Sequence, residues 1–197
     1  MIDTKELASL VKVLQNNKII CGVGGSYLLH LYNLCDNPAD VDFWVDPKDM
    51  NRVRTLFKDC EQIHERIQLP DDLHYKFVYM DLKVDFVSCF ITRPNQYSFS
   101  YYINAESIET IKITEGLSIP CTSLEDWYIV YKLLKRDKKA AMIADYIYKR
   151  DIQKTTLRLR QSMDSGKNIL PKKIRTEISS FVMDNMQYSI TELCSHG

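Results

Sequence analysis

Along the 197-residue chain the spacing of apolar positions changes several times, and each change predicts an element. Leu7, Leu10, Val11 and Leu14 recur at helical spacing. Asp3 precedes them, and Glu6 follows it three residues later as in a capping box, so residues 4–16 predict an amphipathic helix. Lys18 to Val23 (KIICGV) is a short apolar, β-branched run ended by Gly24-Gly25, which predicts a buried strand entering a tight turn. Ser26 to Asn33 is apolar enough to be the helix after that turn. Pro38 breaks the chain, and VDFWV over Val41–Val45 alternates with the period of a strand. Asp46 and Pro47 stand at the N-cap and first turn of another helix, which Met50, Val53, Leu56 and Phe57 carry forward.

YKFVYMDLKVDFV, from Tyr75 to Val87, alternates on both sides of a polar break at Asp81 and predicts a β-hairpin or two adjacent strands. Two shorter strand-like pieces follow, near Tyr97 to Ile103 and Glu109 to Ile113. Pro120 and then Ser123-Leu-Glu-Asp126 mark a capped helix start, and from there onward the pattern is helical with no good strand. The change of composition places a boundary at residues 116–121, between a mixed α/β part and an all-helical part. No Ser/Gly-rich linker and no internal repeat separates them.

Composition narrows the class. Hydrophobic residues make up 45% and charged ones 26%, with only six Gly and six Pro, which suits a folding globule and not a disordered or collagen-like chain. The length is too short for a (β/α)₈ barrel. Cys21, Cys35, Cys60, Cys89, Cys121 and Cys194 are scattered with no CxxC pair, so neither a zinc site nor a disulfide scaffold is expected. Asp3, Lys5, Glu6 and Lys12 interrupt the first twenty residues, so no signal peptide or membrane span is expected there, and a reducing, cytoplasmic address follows as the default.

The chemistry concentrates in Gly24-Gly25-Ser26, then, after a gap of thirteen residues, Asp40-Val41-Asp42, and later Asp85 in KVDFV. Two aspartates at i and i+2 of a strand share a face about 6–7 Å apart, near enough for both to hold hard divalent cations through oxygen. Phosphoryl transfer uses such a set, with a third carboxylate either binding a second metal or taking the proton of the attacking hydroxyl. The Gly-Gly turn lets backbone approach a triphosphate, and Ser26 adds a hydroxyl beside the amides of a helix N-terminus. A lone DxD is more often a solvated sheet face, and a Gly-Gly turn is common; the combination carries the weight. The turn lacks the Lys of a P-loop. A dinucleotide-binding reading is also poor, because Leu28 holds the third glycine position and the Asp-x-Asp would go unexplained.

GVGGS followed by PADVDFWV and KVDFV resembles the nucleotidyltransferase fold of the DNA polymerase β superfamily. Its signature is a hydrophobic residue, Gly-Gly or Gly-Ser, a gap, Asp-x-Asp, and a third Asp on a later strand. Within it the chain most resembles the small bacterial branch of antibiotic nucleotidyltransferases and abortive-infection nucleotidyltransferase toxins. The signature covers residues 20–90, and IPCTSLEDWYIVYKLLKR resembles the helix that follows the catalytic domain in that branch. The resemblance implies an α+β fold: a nucleotidyltransferase-like mixed β-sheet with flanking helices over residues 1–118, then a small helical bundle over 119–197. It implies Asp40 and Asp42 as ligands of Mg²⁺ or Mn²⁺, Asp85 as the third carboxylate of the catalytic and metal set, and Gly24, Gly25 and Ser26 on the nucleotide phosphates. Lys132 matches a family lysine near the nucleotide. The Lys-Asp pair that the branch often carries further on is broken here at Lys139-Ala140, with Asp145 as its shifted remnant.

The implied partners are a nucleoside triphosphate and an acceptor, a small molecule or an RNA, with no membrane. The alternative is a non-catalytic nucleotide-binding or toxin–antitoxin regulatory module of the same fold. Charge sharpens the choice of partner. The formal net charge is zero, which taken alone argues against a polyanion. Between Lys132 and Arg175, however, fourteen Lys or Arg face four Asp or Glu, so neutrality is a cancellation and excludes neither nucleotides nor RNA. Basic helix faces are as often simply solvated, and Tyr128 and Tyr131 at helical spacing read as core.

Overall fold

The computed structural model describes residues 2–64, 73–93, 97–164 and 168–195, with side chains up to residue 183. In chain order its elements are α1 (Thr4–Asn16), β1 (Cys21–Val23), α2 (Gly25–Leu31), β2 (Val41–Val45), α3 (Met50–Leu56), β3 (Glu61–Gln62), β4 (His74–Tyr79) and β5 (Leu82–Val87). There follow β6 (Phe90–Thr92), β7 (Phe99–Tyr101), β8 (Glu109–Thr114), β9 (Leu117–Cys121), α4 (Leu124–Leu133), α5 (Asp137–Tyr148), α6 (Ile152–Asp164) and α7 (Lys172–Ser195). The chain divides into two compact units, Met1–Phe90 with Ile103–Ser123, and Ile91–Tyr102 with Leu124–Gly197. The architecture is α+β, as the sequence pattern leads one to expect.

The first unit is built on a seven-stranded sheet of order β3-β4-β5-β2-β1-β9-β8. It is mixed, because β2 runs parallel to β5 and β1 parallel to β9 while the other pairs are antiparallel. Strand alternation sorts its residues. Val41, Phe43 and Val45 of β2, Val84 and Phe86 of β5, and Tyr75 and Phe77 of β4 are buried. Phe43 stacks on Phe86 at 5.1 Å between ring centres, and Phe57, at the end of α3, stacks on Phe77 at 4.8 Å. Asp42, Asp85, Lys76 and His74 occupy the intervening positions and so share the other face. The apolar face fixes the register, since a slip of one residue would bury this polar row instead.

Helix ends depart by a few residues from the sequence reading, for one repeated reason. Lys18 takes a left-handed conformation (φ 52°) after α1, with Lys18 N bonded to Gln15 O and Ile19 N to Leu14 O. This Schellman closure consumes residues 18 and 19, so β1 begins at Cys21 instead of Lys18. Asn33 (φ 57°) closes α2 and Lys135 (φ 55°) closes α4 with the same pair of bonds. The start of α1 is as expected, with the Asp3 side chain accepting from Lys5 N at 2.7 Å. Asp46 likewise caps the turn at Pro47–Asp49.

At residues 116–121, where the sequence suggests a boundary and no strand, the structure has β9. Pro120 argues against a strand in a sequence reading. Ile119 and Cys121, on alternate positions around it, are nonetheless buried, and Thr122 donates both its backbone N–H and its hydroxyl to Val23 O. That seats β9 beside β1 inside the sheet.

In the second unit β6 and β7 form a two-stranded ribbon, and Ser100 and Ile169 exchange both backbone hydrogen bonds at 2.9 Å. Its helices bury Trp127, Tyr128, Tyr131, Ile143, Ile147, Leu159 and Val182. Asp126 is buried too, and accepts from the Tyr101 hydroxyl at 2.6 Å and from the Ser162 hydroxyl at 3.1 Å. Burial first, and the Asp126 charge second, push the Tyr101 hydroxyl pKa well above its ordinary value, so the phenol stays a donor. Tyr101→Phe is expected to cost about 2 kcal/mol, because it strips one donor from a buried carboxylate. Urea unfolding of the variant measures it, and an unchanged midpoint would show that the bond contributes nothing net.

Cys21, Cys35, Cys60, Cys89 and Cys121 are free thiols. Among the described residues no helix is long and apolar enough to cross a membrane.

Candidate active site

The site begins at the turn between β1 and α2. Gly24 N donates to Asp42 O at 2.8 Å, which lays the turn across β2. Gly25 then adopts φ 60°, a left-handed conformation that disfavours any side chain. A Cβ built on Gly25 would stand 1.6 Å from Asp42 Oδ2, 2.4 Å from its Cγ and 2.7 Å from its Cβ. Glycine is therefore what admits the Asp42 side chain to the start of α2, where the Ser26 backbone N–H hydrogen-bonds the carboxylate.

Register supplies the remaining groups. Asp42 pairs with Asp85 across the parallel β2–β5 ladder, and Asp85 pairs with Lys76 across the antiparallel β4–β5 ladder. Asp42, Asp85 and Lys76 thus form one row across three strands. Asp40, two residues before Asp42, reaches the row through Lys76, whose Nζ lies 3.4 Å from Asp40 Oδ2 and 3.9 Å from Asp85 Oδ2. His74 Nε2 lies 2.6 Å from Asp85 Oδ1, at an angle outside that of a hydrogen bond, so neither atom has a hydrogen-bond partner among the described residues. His74 and Lys76 also border a polar cavity of about 160 Å³ with Arg54, Gln62 and His64.

Electrostatics single out Asp42. Burial, and then repulsion from Asp40 and Asp85, push its carboxyl pKa up to about 6, while the Ser26 N–H and the Lys76 ammonium pull the other way. Lys76 alone leaves the three acids undercompensated. A hard cation suits this donor set of carboxylate oxygens. Among the described residues no three His, Cys, Asp or Glu side chains stand as a ready metal cluster. Asp40 and Asp42 are the pair with the chemistry to hold one, since a positive ion there would relieve the repulsion that raises Asp42.

Of the residues singled out in the sequence, Gly24, Gly25, Ser26, Asp40, Asp42 and Asp85 thus come together in the first unit. Lys132 lies in the second unit on α4, 2.5 Å from Glu177 Oε2 and 3.6 Å from Asp137 Oδ1. The hydrogen bond from Glu177 raises its pKa. Lys76 and His74 escaped the sequence reading.

No family model and no curated protein matches the chain. Its fold is similar to that of solved nucleotidyltransferases. One is the lincosamide antibiotic adenylyltransferase LnuA with lincomycin bound, at 15% identity and a TM-score of 0.49, covering 72% of this chain and 96% of that one. Another is a candidate nucleotidyltransferase from Thermotoga maritima, at 19% identity and a TM-score of 0.49, covering 76% of this chain and 97% of that one.

Proposed function

We propose that the chain is a divalent-metal-dependent nucleotidyltransferase, moving a nucleoside monophosphate from a nucleoside triphosphate to a hydroxyl of a small molecule or an RNA and releasing pyrophosphate. The observation that carries the reading is the Asp42–Asp85 pair in register, with Asp40 alongside and the Gly25 turn closed over Asp42. It is the signature order of the sequence turned into one polar face.

In this reading Asp40 and Asp42 would hold Mg²⁺ or Mn²⁺, which when bound neutralises charge on the phosphates. Gly24, Gly25 and Ser26 orient the triphosphate through backbone amides and the serine hydroxyl. Asp85 takes the proton of the acceptor hydroxyl. Its Oδ1 keeps an unspent lone pair. The hydroxyl oxygen bonds to the α-phosphorus, and the bond from that phosphorus to the bridging oxygen of the β-phosphate breaks, so the electron pair leaves with pyrophosphate. Lys132 is the proposed fourth nucleotide contact, exchanging Glu177 for phosphate.

The test uses each α-labelled nucleoside triphosphate with Mg²⁺ and either total RNA or a panel of hydroxylated small molecules. Mg²⁺-dependent transfer from at least one nucleotide is expected, falling about 10²- to 10⁴-fold in Asp85→Asn. Transfer that persists in chelator, or that Asp85→Asn leaves untouched, would sink the mechanism. Calorimetric binding of nucleotide without any transfer would move the chain to the non-catalytic alternative.

A further inference from the structure

Lys76 needs an account that the reaction just described does not give. A lysine with its side chain only 10% exposed, inserted between two carboxylates of a phosphoryl-transfer cluster, occupies space and charge that a metal ion would otherwise take. We propose that Lys76 is a resident cation of the site, holding the place of a second metal ion, so that the cluster takes a single divalent cation, on Asp40 and Asp42. The inference rests on the nucleotidyltransferase reading and refines it.

Three features lead there. The ammonium is delivered by the fold, since Lys76 sits opposite Asp85 in the β4–β5 ladder and its Nζ bridges 3.4 Å to Asp40 Oδ2 and 3.9 Å to Asp85 Oδ2. Both oxygens of Asp85 are already faced by nitrogen, Oδ2 by Lys76 and Oδ1 by His74 Nε2 at 2.6 Å, which leaves Asp85 no open side for a metal. Charge closes the argument. Three carboxylates and one ammonium leave a deficit of two, which one divalent ion balances and two would overshoot. A second dication on Asp85 would also stand within a few ångströms of the ammonium, with like-charge repulsion in a part-buried setting. The same placement explains why the three acids do not form a ready metal cluster among the described residues. Asp85, kept off the metal, stays free to act as the base, and Lys76 is a positioning residue for it.

Mn²⁺ binding, counted by electron paramagnetic resonance of the free ion, tests this. The full chain is titrated with a nucleoside triphosphate analogue that cannot be cleaved between the α and β phosphates, and a nucleotide-only reference is subtracted. One ion per chain is expected in the wild type and in Lys76→Arg, and two in Lys76→Met. Two ions in the wild type, or one in a folded Lys76→Met, would overturn the proposal. No protein-bound Mn²⁺ in the wild type would instead overturn the nucleotidyltransferase reading on which it stands. If Lys76→Met does not fold, as judged by circular dichroism, the wild-type count alone still decides between one ion and two.

Discussion

Gly25→Ala is expected to destabilise the first unit by about 3 kcal/mol or more and to abolish any activity that depends on Asp42. Two costs add. A left-handed backbone costs an alanine roughly 1–2 kcal/mol, and Gly25 is held at φ 60° by the turn that carries Gly24 N to Asp42 O. The second cost is steric. Were only Asp42 Oδ2 in the way, at 1.6 Å, the carboxylate could swing aside, but Asp42 Cβ at 2.7 Å is also too close, and that atom moves only with β2. The strand is fixed by its pairing to β1 and β5, so the turn must give. Urea unfolding measures the loss, and Gly22→Ala is a graded control, because a Cβ there meets Thr122 Cγ2 and Thr122 N at 3.0 Å instead. A Gly25→Ala midpoint equal to the wild type would show that the turn is looser than the close approach implies.

Much of this site was legible before the structure. VDFWV alternation set the strand and its polar face, and the Gly-Gly turn followed by Asp-x-Asp named six of the residues that converge. Lys76 and His74 were missed, although a signal was present. A hairpin turning at Met80-Asp81 pairs Tyr79 with Leu82 and hence Lys76 with Asp85, so the register alone places a cation beside the third carboxylate. Reading the hairpin as two strands without following its pairing left that unused.

Other features lay beyond local pattern. The strand β9 is stabilised by neighbours far away in sequence, Val23 above all, which propensity over LSIPC cannot express. The carboxylates Glu125 and Asp126 read as a capping signal at the start of α4, yet both are buried and serve as acceptors, Glu125 from the Thr155 hydroxyl at 2.9 Å and Asp126 from Tyr101. Their partners sit 30 and 25 residues away, and no spacing rule links them.

Asp42→Asn is expected to raise the stability of the metal-free protein at pH 8 while removing transfer by about 10³-fold or more. The sign follows from the direction of the shift. Burial and the neighbouring acids lift the Asp42 pKa from 3.8 to about 6, so the folded state holds this proton more tightly than the unfolded chain does. Folding is therefore favoured by protonation at low pH. That contribution is fully present below about pH 4 and is lost as the pH rises through about 6. Two pH units correspond to about 3 kcal/mol at the upper limit, of which some 2 kcal/mol is a reasonable expectation for a side chain with partial access to water. Asparagine keeps the shape and an oxygen for the Ser26 N–H but carries no charge, so it escapes the penalty above pH 6. Wild type and variant should thus converge toward pH 4 and separate at pH 8, with the variant the more stable. Mn²⁺ should raise the melting temperature of the wild type at pH 8 and leave the variant unmoved, because the ion supplies the compensating charge that the fold withholds. A variant less stable than the wild type at pH 8 would make Asp42 a structural acid held by Ser26. Strain of this kind, a carboxylate kept ionised in a part-buried position at a cost to the empty fold, is what a site gives up in stability so that a cation and its phosphates can repay it on binding.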